Sequence, residues 1–193
     1  MCIRDRTEDV RIMGEKMDHL NNIVEQILTF ARNAEPQFKP SDVNKIINDL
    51  RILVRRKFAQ QKVVLDIQLA ENLPEAKADK QQLSQVFLNL TLNALEAMPN
   101  GGELKIKSSS TQLQKNKNKV TNIQIDFSDT GSGMNSELRK KAFTSLLNSS
   151  KPGGTGIGLA IVNRIIESHG GEIKIRPNVK GTTFSVYIPI FHK

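Results

Sequence analysis

The chain has 193 residues, of which 38% are hydrophobic and 25% charged, and this balance supports a folded core rather than a disordered tail. The formal net charge of +8 favours an anionic partner, either nucleotide phosphates or an acidic protein surface. Aromatic residues are only 5% and tryptophan is absent, which argues against a base-stacking nucleic-acid interface. The sequence has no run of 18 apolar residues to predict a membrane segment and no apolar signal segment, and its single cysteine, Cys2, excludes a disulfide framework. We therefore expect a cytoplasmic domain.

The first predicted element is a long helix over residues 8–33, which Pro36 ends. The six residues before it, MCIRDR, fit no helix or strand pattern, and we interpret residues 1–6 as non-native sequence outside the fold. Apolar residues in the helix follow a heptad spacing, which is typical of a helix that packs in a bundle, although packing on its own domain is the alternative. The seam consists of Met13, Met17, Leu20, Val24, Ile27 and Ala31.

Helices and strands alternate through the remainder of the chain. Ser41-Asp42 signals the start of a second helix, and Asp79 can cap a third that runs to about Met98. The other predicted elements are strands over 62–69, 104–106, 123–127, 172–176 and 182–188, a solvated loop over 112–119, a flexible segment up to Gly154 and a helix over 156–168. This order predicts an α+β fold in which helices cover one face of an antiparallel or mixed sheet.

The third helix carries a polar stripe on an otherwise apolar surface. A helix that is apolar around most of its girth is buried, and buried amides need hydrogen-bonding partners. The stripe consists of Gln82, Gln85, Asn89, Asn93 and Glu96. Asn89 and Asn93 lie one turn apart and could cap neighbouring loops, but we expect them to contact a polar ligand or a metal. An amide oxygen is a neutral ligand of the kind that magnesium accepts.

Two glycine-rich motifs follow the polar helix. Asp129 opens DTGSG directly after a strand, and its carboxylate can accept a hydrogen bond from an exocyclic amine such as that of adenine. GGTGIGL, over residues 153–159, opens a helix whose free N–H groups can bind phosphate. Each motif alone is weak, since the first is compatible with a plain turn and the second with an ordinary helix start. The second is not a P-loop, because no Gly-Lys-Ser/Thr follows.

Taken together and in this order, the motifs resemble the ATP-binding domain of histidine kinases, within the Bergerat-fold superfamily. That superfamily also contains type II topoisomerases, a heat-shock chaperone and mismatch-repair ATPases. The matching segments are QLSQVFLNLTLNALEAM, DFSDTGSGM, KPGGTGIGLAIVNRIIESHGGEI and GTTFSVYIP, and the resemblance covers about residues 79–190. In addition, MDHLNNIVEQILTFAR resembles the second helix of the kinase dimerisation domain. The resemblance implies a two-layer α/β sandwich preceded by one long helix. Residues 7–35 would belong to a dimerisation and phosphoacceptor domain and residues 36–193 to the ATP-binding domain.

The resemblance also implies roles for individual residues. Asn93 would ligate Mg²⁺ with Asn89 supporting it, both as catalytic residues, and Asp129 would read adenine. The other implied ATP-binding residues are Gly131, Gly133, Lys151, Gly154, Thr155, Gly156, Ile157, Gly158, Leu159, Thr182 and Thr183. Arg139 and Lys140, in the lid between the two glycine motifs, are further candidates for phosphate contact.

The implied activity is transfer of the γ-phosphoryl group of Mg-ATP to a histidine on the dimerisation domain of a homodimer, for relay to a response-regulator receiver domain. Hydrolysing members of the superfamily have a glutamate where this chain has Asn89, so transfer is favoured over hydrolysis. A nucleotide-dependent binding module and an ATP hydrolase are the alternatives. His19, His169 and His192 lie in no acceptor motif. We therefore expect the acceptor histidine upstream of this chain.

Overall fold

The computed structural model describes residues 17, 35–115, 118–143 and 157–191, and these form two layers. A five-stranded sheet makes one layer, and helices packed against one of its faces make the other. This confirms the predicted α+β class and the mixed sheet. The predicted helix over 8–33 lies outside the described residues except for Met17, which is helical.

Three long helices cover the sheet. They are α1 (Val43–Gln60), α2 (Lys80–Ala97) and α4 (Ile157–Ser168). Asp42 and Asp79 cap the first two, since each carboxylate accepts hydrogen bonds from backbone N–H groups of the first turn. Both caps were predicted from the sequence. α4 ends at Ser168, and Gly170, with a φ of +68°, is the left-handed residue that terminates it.

A short helix, α3 (Ser136–Lys141), lies in the segment that was predicted to be flexible up to Gly154, so that prediction is wrong over these residues. Asn135 caps the helix by accepting a hydrogen bond from the Leu138 N–H at 2.8 Å. Glu137 in the first turn and three basic residues in the last turn complement the helix dipole. The segment is rich in charged residues and shows no apolar period, so no sequence pattern indicated this helix, which its cap and terminal charges stabilise.

The main sheet has the strand order β2-β4-β5-β7-β6. Its strands are β2 (Val63–Gln68), β4 (Gly102–Lys115), β5 (Asn118–Asp129), β6 (Glu172–Pro177) and β7 (Thr182–Pro189). The first pair, β2 and β4, is parallel and the other pairs are antiparallel. A separate two-stranded sheet pairs β1 (Lys39–Ser41) with β3 (Ala76–Ala78).

The hairpin of β4 and β5 is longer than predicted. Pairing continues from Leu104 opposite Asp129 to Lys115 opposite Asn118, so the prediction of a solvated loop over 112–119 is wrong. Neighbouring strands accompany only part of this hairpin, because β2 pairs with β4 no further than Lys107 and β7 reaches only Asn122 of β5. The outer part of the hairpin pairs with no third strand among the described residues, so it need not show the alternating apolar pattern of a strand within the sheet.

The core lies between the helices and the inner face of the sheet. Alternate residues of β4 and β5 point into it, and the rings of Phe87 on α2 and Phe127 on β5 pack with centroids 5.4 Å apart. The outer face carries ion pairs, among them Lys105 with Asp66 at 3.2 Å and Arg176 with Asp126 at 3.1 Å. Among the described residues, helices therefore cover one face of the sheet and ion-paired side chains occupy the other. None of the helices that the structure describes is long and apolar enough to cross a membrane.

Candidate functional site

The site is organised by the seam between α2 and α4, which run antiparallel. At one end of the seam, the Asp79 N–H at the start of α2 donates to Nε2 of His169 at the end of α4, at 3.0 Å. This bond joins the beginning of α2 to the end of α4, and the two helices pack against each other, so they run antiparallel. Residues of both helices, among them Gln82 and Ile165, also line a groove of about 1190 Å³ together with residues of the segment that leads into α1.

The antiparallel seam brings the beginning of α4 level with the polar stripe of α2. A helix rises 1.5 Å per residue, so Ile157 lies roughly 18 Å along the seam from His169. Asn89 and Asn93 lie roughly 15 and 21 Å along α2 from Asp79 by the same measure. The predicted anion-binding helix start and the two asparagines thus occupy the same end of the seam.

Asn89 and Asn93 present buried amide groups with unfilled hydrogen-bonding capacity. Their Nδ2 atoms are shielded from solvent, and neither has a hydrogen-bond partner among the described residues. Buried polar atoms are rarely left unpaired, because each costs free energy without a partner. Since an amide can be turned to offer either its donor or its acceptor, each side chain can serve a phosphate oxygen or a cation. The pair is suited to a polar ligand.

A magnesium ion fits this arrangement if phosphate and water supply most of its ligands. The part of the chain that the structure describes contains no group of three His, Cys, Asp or Glu side chains that could hold a metal. Mg²⁺ commonly takes only one or two protein oxygens and completes its octahedron with phosphate and water. The amide oxygen of Asn93 is suited to be such a ligand.

Asp129 lies at the end of β5, where its carboxylate is held by backbone groups. The residue is only 3% exposed, and its Oδ1 accepts hydrogen bonds from the N–H of Gly131 at 2.9 Å and of Thr182 at 3.3 Å. These bonds fix the direction of the carboxylate. A buried carboxylate of fixed direction can discriminate between an amine and a carbonyl on a ligand.

The loop after Asp129 is fastened to the end of α2. A Cβ on Gly131 would stand 2.5 Å from the backbone oxygen of Ala97, so only glycine allows this approach. The same oxygen accepts a hydrogen bond from the Ser132 N–H at 3.1 Å. Gly133, with a φ of +72°, approaches the backbone of Gly181. The DTGSG loop is therefore held between α2 and β7.

Gly181 is a residue of this site that was not among the predicted site residues. Its φ is +91°, and a Cβ there would overlap both the backbone oxygen and the Oδ1 atom of Asp129. The only sequence signal was its position directly before Thr182 in GTTF. Its contact with Asp129 depends on the pairing of β5 with β7, which no local pattern reveals.

The two threonines of GTTF point to opposite sides of the sheet. Thr182 is 3% exposed, and its N–H donates to Asp129. Thr183 pairs with Ser128 across the strands, and its hydroxyl donates to the Ser128 hydroxyl at 2.9 Å. Side chains alternate along a strand, so the structure brings Thr182 to Asp129 and directs the side chain of Thr183 to the outer face.

At the beginning of α4, Gly158 borders open space. A Cβ at this position would meet no atom within 4 Å, so packing within the described protein does not require glycine there. The next residue, Leu159, packs against the core. Ile157 is the first residue of α4. Four other predicted ATP-binding residues lie outside the described residues, namely Lys151, Gly154, Thr155 and Gly156.

The two basic lid residues that the sequence proposed for phosphate contact differ in their surroundings. Arg139 is half-buried, and its Nη1 donates to the backbone oxygen of Met134 at 2.6 Å. Lys140 is exposed on α3. The guanidinium of Arg139 thus helps to shape the turn that follows DTGSG.

Comparison with known proteins identifies the class of this domain. The family model described as "Histidine kinase-, DNA gyrase B-, and HSP90-like ATPase" matches residues 78–192, and the chain belongs to this family. Because the match begins at residue 78, the predicted domain boundary between residues 35 and 36 stays a prediction.

Among individual proteins, the chain is similar to the sensor histidine kinase ZraS of Escherichia coli strain K12. The two are 30% identical over 181 residues, which cover 93% of this chain and 37% of ZraS. The catalytic domain of histidine kinase ThkA is 27% identical, with a TM-score of 0.69 over 80% of this chain and 96% of that domain.

Two larger structures share the fold. ThkA in complex with response regulator protein TrrA superposes with a TM-score of 0.80 at 24% identity, over 99% of this chain and 53% of that one. Full-length ShkA in complex with AMPPNP superposes with a TM-score of 0.78 at 21% identity, over 98% of this chain and 40% of that one.

We predict opposite effects on stability when Gly181 and Gly158 are each replaced by alanine. Gly181→Ala should lower the free energy of unfolding by at least about 1–2 kcal/mol, because the φ of +91° is unfavourable for alanine and the new Cβ overlaps Asp129. Gly158→Ala should leave it unchanged or raise it by up to about 1 kcal/mol, since the methyl group enters open space on a helix. Urea unfolding followed by circular dichroism measures both. Equal losses in the two variants would show that the described packing is wrong.

Proposed function

We propose that this chain binds Mg-ATP between α2, the DTGSG loop and the start of α4, and passes the γ-phosphoryl group to a histidine. The observation that carries the proposal is the pair of buried, unpartnered amide nitrogens of Asn89 and Asn93. The rise of the two helices places this pair level with the first turn of α4. Membership of an ATPase family supports a nucleotide as the ligand. Its similarity to ZraS, a sensor histidine kinase, supports a histidine as the acceptor.

In the proposed complex the parts of the nucleotide are bound by different elements. Asp129 accepts a hydrogen bond from the adenine amine, and Thr182 holds that carboxylate in place. The N–H groups at the start of α4 face the phosphates, and Asn93 ligates Mg²⁺ with Asn89 beside it. Phosphoryl transfer depends mainly on positioning and on neutralising charge, and neutral amides, backbone N–H groups and one cation provide both.

Transfer to a protein acceptor is proposed rather than hydrolysis, because Asn89 occupies the position of the glutamate found in hydrolysing relatives. An amide cannot take a proton from water as a carboxylate can. Among the described residues the one histidine is His169, and it is not the acceptor, because both of its ring nitrogens are hydrogen-bonded in the protein interior. A homodimer formed through helices and a response-regulator receiver domain are the proposed partners, the latter supported by the complex of ThkA with TrrA.

Nucleotide binding should require magnesium and Asn93. We expect calorimetry to give a dissociation constant on the order of micromolar for Mg-ATP. Asn93→Ala should weaken binding at least about tenfold, because one charge-assisted interaction is lost. Asn48→Ala is the matched control, since Asn48 is exposed on α1, and it should bind as the unchanged chain does. An absence of binding heat with magnesium present would refute the proposal.

The base preference should depend on Asp129. The chain should bind ATP more tightly than GTP, since guanine presents a carbonyl where adenine has an amine. Asp129→Asn should cost about 1.5–3 kcal/mol of ATP affinity and reduce the difference between the two nucleotides. Asp126→Asn makes the same change three residues earlier on β5, beside Arg176 on the outer face, and should alter neither affinity. Equal affinities of the unchanged chain for ATP and GTP would contradict this role for Asp129.

The transfer itself can be tested in a graft onto ZraS. The alignment covers 93% of this chain, so residues 35–193 can replace the matching part of that kinase. With γ-labelled ATP, the graft should acquire label that is stable to base and labile to acid, as phosphohistidine is. The label should persist in His169→Gln and disappear in Asn93→Ala. Release of labelled phosphate without labelled protein would instead identify an ATP hydrolase, and retention of unreacted ATP a binding module.

A further inference from the structure

His169 is buried at the end of α4, with both ring nitrogens engaged. The backbone N–H of Asp79 lies 3.0 Å from Nε2, and the backbone oxygen of Ile165 lies 2.7 Å from Nδ1. An amide N–H can only donate and a carbonyl oxygen can only accept. The imidazole must therefore be neutral, with its proton on Nδ1 and the lone pair of Nε2 directed at Asp79.

Asp79 connects this imidazole to two other parts of the structure. Its Oδ1 accepts from the first-turn N–H groups of α2, at 2.9 Å from Gln81 and 3.2 Å from Gln82. Its Oδ2 accepts from the Gln37 N–H at 3.0 Å. One residue thus joins the end of α4, the start of α2 and the segment that leads into α1.

That segment, residues 35–42, is called the linker here, and it contacts His169 directly. The ring of Phe38 meets the imidazole edge-on, with centroids 5.1 Å apart and an angle of 84° between the planes. Strand β1 of the linker pairs with β3, which ends at the residue before Asp79. The Ser41 hydroxyl donates to the Ala78 oxygen at 3.0 Å. The course of the linker therefore depends on the same junction.

The groups around the ring favour the neutral imidazole. Burial lowers the pKa of His169 below its ordinary value of about 6.5, and this outweighs the opposing effects of the Ile165 carbonyl and of the negative charge of Asp79. Two other groups near the imidazole ring are uncharged. The Ser168 hydroxyl, at the end of α4, lies 3.4 Å from Nδ1, and the ring of Phe38, from the linker, contacts the imidazole. The ammonium group of Lys77, from β3, lies over the Phe38 ring.

We propose that His169 is a positioning residue, whose neutral imidazole holds the start of α2 and the linker in register with the end of α4. Through its bond to Asp79, His169 sets the position of α4 along the axis of α2. That position decides which turn of α2 lies level with the glycine motif. Through Phe38 and Gln37, His169 sets where the linker leaves the domain. The relevance of this register to catalysis rests on the proposed function, but the junction itself does not.

The first test is the state of the ring in the unchanged chain. Nitrogen-15 NMR near neutral pH should show a proton on Nδ1 of His169 and an accepting Nε2, the less common tautomer of free histidine. On acidification, the amide signals of Asp79 and Gln37 should shift with the same midpoint as the imidazole, below pH of about 6.5. A proton on Nε2, or amide signals that ignore the titration of the ring, would overturn the proposal.

The second test compares two uncharged replacements that each retain one of the ring's bonds. In His169→Gln the amide oxygen can reach the position of Nε2 and still accept from Asp79. In His169→Asn the shorter amide can replace only Nδ1, which faces Ile165. We expect exchange of the Asp79 amide with solvent to be about tenfold faster in the asparagine variant than in the glutamine variant, which should resemble the unchanged chain. Equal protection in both variants would refute the proposal.

The pH dependence of stability supplies a third readout on the same proteins. A histidine whose pKa is lowered by folding stabilises the native state fully above about pH 6.5, and this contribution is lost as the pH falls towards the native pKa. The unchanged chain should therefore lose stability between about pH 7 and pH 5.5 faster than His169→Gln does. Parallel pH profiles would contradict the inference. Calorimetry with Mg-ADP reports the proposed function separately, because a chain that binds no nucleotide can still show the junction.

Discussion

The structure depends above all on the packing of α2 against α4. A helix as apolar as α2 is stable only when it is covered, yet one of its faces carries Asn89 and Asn93, whose buried amide nitrogens have no hydrogen-bond partner among the described residues. The antiparallel seam covers the apolar surface of α2, and it brings the start of α4 close to the two asparagines. A slip of one turn, about 5.4 Å, would separate the glycine motif from the asparagines. Specific bonds must therefore set the register, and the bond between Asp79 and His169 is one that does so.

The glycines of the site are of two kinds, which the sequence alone does not distinguish. Gly131 and Gly181 are required by the protein itself, because Gly131 lets its backbone approach that of Ala97 and Gly181 lets its backbone approach Asp129. Gly158 is different, since nothing in the described protein lies where its side chain would be. At the start of a helix, a glycine that packing does not require is explained if a bound ligand needs close access to the backbone there.

The sequence predicted well what depends on local patterns. The caps Asp42 and Asp79, the girth and stripe of α2 and the placing of Asp129 after a strand all follow from side-chain chemistry and spacing. It failed where the outcome depends on distant neighbours. The outer part of the β4–β5 hairpin pairs with no third strand among the described residues, and its sequence shows no apolar alternation. The partners of Gly181 and His169 lie 52 and 90 residues away along the chain. The short strands β1 and β3 have three residues each, too few to show any period.

The mixed character of the sheet has a consequence for how the domain folds. The β4–β5 hairpin joins neighbours in sequence, whereas the parallel pairing of β2 with β4 closes a loop that contains both β3 and α2. Closing such a loop costs chain entropy before any contact compensates for it, so we expect the hairpin to form early and the β2 edge late. Because α2 lies within that loop, the two asparagines reach their final surroundings only in the late step. Partial unfolding from the β2 edge would thus dismantle the polar stripe while the hairpin remained intact.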